Sequence, residues 1–198
     1  MSHFSVAVFM TDKEQSVDNL LAPYEETLFT GTNRDTVKED TDAVPDGEDP
    51  PFEPNPDMKW DWYVVGGRWK GLLILKGKVP ANRDAAWVSD IDFEAMRQRD
   101  AAKLRSYEET MRDPIMGEKY MREVFRNDEE YVSLMSIFST YAVVTPDGEW
   151  HSYGTMCWFG YSSSKPEDER AWKLGYYDRF IKPALENNWY MVLVDCHI

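Results

Sequence analysis

The residues best suited to chemistry lie near the two ends of the chain. Asp195-Cys196-His197 precedes the final isoleucine, and His3 stands third from the start. Asp195 and His197 are two apart, so on a strand they share a face. A carboxylate set against an imidazole is the beginning of a general base or of a metal site. His3 joins that cluster if the first and last strands pair. The catalytic candidates are therefore His3, Asp195 and His197. The plain alternative is a group of polar strand ends beside solvent. Cys196 falls on the opposite face from His197, so its thiol lacks the imidazole that nucleophilic catalysis requires.

A second constellation is Lys59–Trp69, K-W-D-W-Y-V-V-G-G-R-W, which holds three of the eight tryptophans. Gly66-Gly67 demands a tight bend or positive φ. A Gly-Gly turn followed by arginine can offer backbone N–H groups and a guanidinium to an anion. Trp60, Trp62, Tyr63 and Trp69 can stack on a base or on a partner's side chain. The expected ligand-binding set is Trp60, Asp61, Trp62, Tyr63, Gly66, Gly67, Arg68 and Trp69. The competing reading is an aromatic mini-core closed by an Asp61–Arg68 salt bridge. No Walker lysine and no G-x-G-x-x-G accompany the glycines.

Other chemical motifs are weaker. His151, Cys157 and Cys196 match no standard zinc spacing, and no metal site or cofactor is expected. Asp90 and Asp92 form a carboxylate pair, but an N-cap explains Asp92. Two isolated cysteines without CxxC spacing fit a reducing compartment. There is no signal-peptide pattern and no 18-residue apolar run, so no membrane partner is expected.

The elements that must position these residues read as follows. Phe4–Met10 is a buried strand, and Ser16 caps a short helix running to Tyr24. Residues 24–57 carry eleven acids and two bases (Arg34 and Lys38), which supplies −9 of the net charge of −14. They form an acidic excursion from a single 198-residue domain. A strand or arm follows at 58–64, then a second strand from Trp69 to Val79, and a loop or short extended piece at 82–89. A helical insertion spans about 92–136, with helices at 92–111, 118–126 and 128–136. Thr140–Gly160 is a hairpin turned by Asp147-Gly148. Ser164 caps a helix reaching Glu186 with a kink near Pro183. The run 189–196 is a strand central to its sheet. The order β-α-β-β-helices-β-β-α-β gives an α+β fold: a mostly antiparallel sheet with helices on one face, ferredoxin-like with insertions, its first and last strands adjacent.

Several pieces resemble a family of uncharacterised bacteriophage and prophage proteins. They are Met1–Phe4, the N-P-x-x-K-W-D-W-Y-x-x-G-G-R-W of Asn55–Trp69, Thr140–Trp150, and the terminal V-D-C-H-I of Val194–Ile198. The resemblance implies a phage-encoded protein acting in the bacterial host cytoplasm. It carries over no catalytic residue, and it leaves the acidic excursion and the helical block uncovered.

The sequence thus supports three functions. The first is an accessory protein, non-enzymatic, that binds a host protein or a nucleotide-like small ligand through its aromatic/arginine surface. The second is a small hydrolase or nuclease-like enzyme using the His/Asp cluster, with or without a metal. The third is an acidic mimic of nucleic acid. With 36 acids against 22 bases, direct nucleic-acid binding is not expected, because phosphate contacts need clustered Lys and Arg. One shared cleft for Asp61, Arg68 and His197 would favour the enzyme; separate sites would favour binding.

Overall fold

The fold is built outward from its final strand. A computed structural model describes residues 2–26, 55–77, 82–104, 125, 127–156 and 162–198. Strand β1 is His3–Met10, β2 is Trp62–Val65, β3 is Leu73–Ile74 and β4 is Asn82–Arg83. Ala85–Trp87 is β5, Ala142–Val144 is β6, Trp150–Ser152 is β7 and Tyr190–His197 is β8. The helices are α1 (Val17–Leu21), α2 (Phe93–Lys103), α3 (Asp128–Met135), α4 (Pro166–Tyr176) and α5 (Lys182–Glu186).

Strand β8 is buried from Met191 to His197, as its apolar run requires of a central strand. It pairs antiparallel with β1 over the full length of both, from His3 opposite His197 to Met10 opposite Tyr190. Its other flank is shared by two short strands. The first, β2, lies opposite residues 194–197, and β5 lies opposite residues 190–192. The main-chain bonds from Gly66 N–H to Leu193 O and from Leu193 N–H to Asp84 O continue the ladder between them. One edge strand is thus interrupted by the insertion that holds β3 and β4. Beyond β1, β6 is parallel and β7 antiparallel to β6.

The fold is α+β, with a mostly antiparallel sheet and first and last strands adjacent. The hairpin departs from the ferredoxin-like order. There the second arm of the central hairpin lies beside the first strand, whereas here the first arm, β6, does. Both faces of the sheet are buried at its centre, while the edge strand β2 is largely exposed. Ala7, Phe9, Val143, Met191 and Leu193 meet Trp172, Tyr176, Phe180 and Met96 from the helices. Phe4, Val6, Val8, Val194 and Cys196 meet Leu20, Leu21 and Trp60 on the other face. Each such side chain contributes about 1.5–3 kcal/mol on burial. The longer helices share one face as expected, while the short α1 and the Trp60 segment seal the other.

Local boundaries follow from capping and backbone chemistry. Ser16 Oγ and Asp92 Oδ1 accept the N–H groups of Asn19 and Ala95, so Asp92 is a cap. In α4 the expected Ser164 cap gives way to Lys165, whose N–H is taken by Asp168 at 2.9 Å. A π-helical turn, Tyr177–Ile181, precedes Pro183 and absorbs the missing proline N–H and its ring. Of the strand expected from Trp69 to Val79, the described residues 69–77 form only β3, because Gly71 and Gly77 take positive φ. The expected helix at 118–126 and the heart of the acidic excursion lie outside the described residues. The feet of that excursion are tied together. Buried Asn55 donates to the carbonyls of Pro23 and Glu25, and Glu26 N–H bonds Trp60 O. Among the described residues no helix is long and apolar enough to cross a membrane.

Candidate functional site

Helices cover the β1/β8 ladder near Phe9 and Leu193 but give way to polar residues at its far end. The pairing of His3 with His197 and of Ser5 with Asp195 fixes those side chains on one face. Trp62 pairs with His197 on the opposite flank and therefore joins them.

His3 Nδ1–H donates to Asp195 Oδ1 at 2.9 Å. His197 Nδ1–H donates to both oxygens of Asp61, at 2.7 and 2.8 Å. A carboxylate only accepts, so each Nδ1 carries a proton, and each Nε2 is left to accept or to carry a second one. The two imidazoles lie 4.9 Å apart at 77°. Trp62 stacks on His197 at 4.9 Å and 16°, and meets His3 edge-on at 5.4 Å. The His197 side chain is only 7% exposed, and its Nε2 is buried with no hydrogen-bond partner. An orphaned buried acceptor costs about 1–3 kcal/mol. Native structures retain such groups where a ligand, water or reaction uses them. The His3 side chain is 13% exposed.

The glycine turn closes the cluster. Gly66 and Gly67 have φ of +75° and +48°, and Gly67–Trp69 forms a 3-10 turn. A Cβ on Gly67 would stand 2.5 Å from Asp195 Oδ2. The Arg68 N–H donates to that same oxygen at 3.0 Å. Asp84 likewise receives the Gly71 N–H, and its Cγ lies 2.7 Å from where a Cβ of Gly66 would be. The turn does present backbone N–H groups to an anion, but the anions are the protein's own carboxylates. The Asp61–Arg68 salt bridge is not formed: Asp61 is engaged by His197, and the exposed Arg68 guanidinium has no ion-pair partner among the described residues.

The two constellations expected from sequence thus meet. His3, Asp195, His197, Asp61, Trp62, Gly67 and Arg68 form one cluster. Trp60 and Tyr63 do not belong to it. Trp60 is 1% exposed, and its indole N–H donates to Leu21 O. Tyr63 packs on that same opposite face, with its hydroxyl on Asp18. Trp69 is half-buried at the end of the turn. Cys196 is also on the opposite face, and burial pushes its thiol well above the ordinary range, which leaves it a poor nucleophile. His151 packs on Phe180, away from Cys196, and Cys157 lies outside the described residues. No three His, Cys, Asp or Glu among the described residues are arranged to hold a metal ion. Asn55 was missed by motif reasoning, although its place in N-P-x-x-K-W was the available signal. No family model, no curated protein and no solved structure matches this chain.

Proposed function

We propose that the protein is a small hydrolase of the acid–base type, acting on a nucleotide-like phosphoester. One observation carries this reading: two His–carboxylate pairs in ring contact, with the buried Nε2 of His197 left without a hydrogen-bond partner. His197, its lone pair orphaned, serves as general base toward a water. His3, held by Asp195, serves as the acid that protonates the leaving oxygen. Trp62 is 43% exposed and stacked on His197; it shifts to admit substrate and gives a stacking face to its ring. The family resemblance supplies the setting, a phage-encoded protein in a bacterial host.

Incubation with a panel of nucleotides, followed by chromatography, tests the reading. Turnover is expected, and it should fall by about 10²–10⁴-fold in His197→Ala and in His3→Ala. Products unchanged in both variants, with the fold intact by circular dichroism, would remove the basis for a hydrolase. Exposed Trp62 and Arg68, which has no ion-pair partner among the described residues, favour a second reading, in which the same surface binds the ligand or a host protein without turning it over. The charge-mimic reading depends on residues 24–57, most of which lie outside the described residues, and no observation favours it.

A further inference from the structure

We infer that the cluster selects a singly charged phosphodiester and that Arg68 is the residue that binds its anionic oxygen. The inference rests on the hydrolase reading above and names its substrate class. Three observations support it. First, three successive main-chain N–H groups of the turn are already taken. The Arg68 N–H is on Asp195, while the N–H groups of Trp69 and Lys70 are on Gly66 O and Gly67 O. The guanidinium is the charged donor that the turn leaves for an anion. Second, that guanidinium is exposed and lacks an ion-pair partner among the described residues, in a chain with 36 acids and 22 bases. Its backbone is nonetheless fixed one hydrogen bond from Asp195, whose other oxygen holds His3. Asp195 is thus a positioning residue that sets the acid and the anion clamp relative to one another. Third, two carboxylates, Asp61 and Asp195, flank the imidazoles. A phosphomonoester dianion entering there meets more like charge than a diester monoanion does.

The step balances without a redox partner. His197 Nε2 takes a proton from water as the water oxygen bonds to phosphorus. His3 enters the step as the imidazolium, with its Nδ1–H on Asp195 and a second proton on Nε2; the bond from phosphorus to the leaving oxygen breaks, and that oxygen takes the Nε2 proton. The products are a phosphomonoester and an alcohol, and the two imidazoles regain their starting states by proton exchange with solvent. Arg68 faces the non-bridging oxygens throughout.

The experiment compares bis(4-nitrophenyl) phosphate, 4-nitrophenyl phosphate and uncharged 4-nitrophenyl acetate in the wild type and in Arg68→Ala. The diester should be preferred to the monoester by about tenfold or more in kcat/KM. Arg68→Ala should raise KM for the diester by about 10–100-fold and lower the acetate rate by a much smaller factor. Tryptophan fluorescence adds a binding arm, with dimethyl phosphate expected to bind more tightly than methyl phosphate, and only when Arg68 is present. Turnover without charge preference, or an equal loss on acetate and diester, overturns the inference while the hydrolase reading stands. Arg68-dependent binding of dimethyl phosphate without any turnover supports the anion subsite and overturns the hydrolase. Neither binding nor turnover overturns both.

Discussion

At the scale of single residues, Gly67 is the most sensitive position in the cluster. Its φ of +48° disfavours any side chain, and a Cβ would fall on the Asp195 carboxylate. Gly148 also has positive φ, at +87°, but nothing lies within 4 Å of its would-be Cβ. Gly67→Ala should therefore cost about 2–4 kcal/mol, against about 1 kcal/mol for Gly148→Ala. Urea denaturation measures both, and equal losses would show that the carboxylate does not crowd the turn. The need for glycine here was legible in the paired glycines themselves. The partner of Asp61 was not. Arg68 is seven residues away in sequence and His197 far more, yet the register of β2 on β8 brings the histidine into contact. Pairing across a sheet is set by register, and a lone motif does not encode it.

At the scale of elements, the structure adds a broken edge strand and a pinned insertion. Strands β2 and β5 occupy one flank of β8 in succession, and the turn that bears Arg68 leaves the sheet at the gap between them. The sequence suggested a full strand after the glycines because Leu72–Leu75 is apolar. Gly71 and Gly77 on either side confine β3 to two residues. Helix starts were more readable, since Ser16, Asp92 and Pro166 act through neighbours close in sequence. Asn55 acts over a longer span. It is 2% exposed, and its amide joins the carbonyls of Pro23 and Glu25 on the far side of the excursion. Asn55→Leu should remove the amide donor from both carbonyls and cost about 2–4 kcal/mol. Hydrogen exchange should show faster opening at Lys59 and Trp60, whose N–H groups bond Tyr24 O. Protection there equal to wild type would mean that the two feet are held by something other than this side chain.

At the scale of the whole molecule, burial on both faces of one sheet places ionisable groups where charge is poorly tolerated. Cys196 lies in the core of one face. Tyr176 is fully buried on the other, its hydroxyl paired with Thr140 Oγ1 at 2.7 Å. Burial raises the pKa of both, from ordinary values of 9.0 and 10.0 respectively. The unfolded chain therefore releases these protons at a lower pH than the native protein does. Above the ordinary values the native state binds more protons than the unfolded state, so the slope of stability with pH is negative. The contribution is complete below about pH 9 and is lost as pH rises toward the native values. The double variant Cys196→Ala, Tyr176→Phe cannot release either proton. It should start less stable at neutral pH, because it loses the contact to Thr140 and some core volume. Its urea midpoint should then decline less than that of the wild type between about pH 8 and about pH 11. Parallel declines would mean that alkaline unfolding is governed by groups outside the two cores. Convergence of the two curves at high pH would assign the alkaline limit of the fold to the same close burial that holds β8 at its centre.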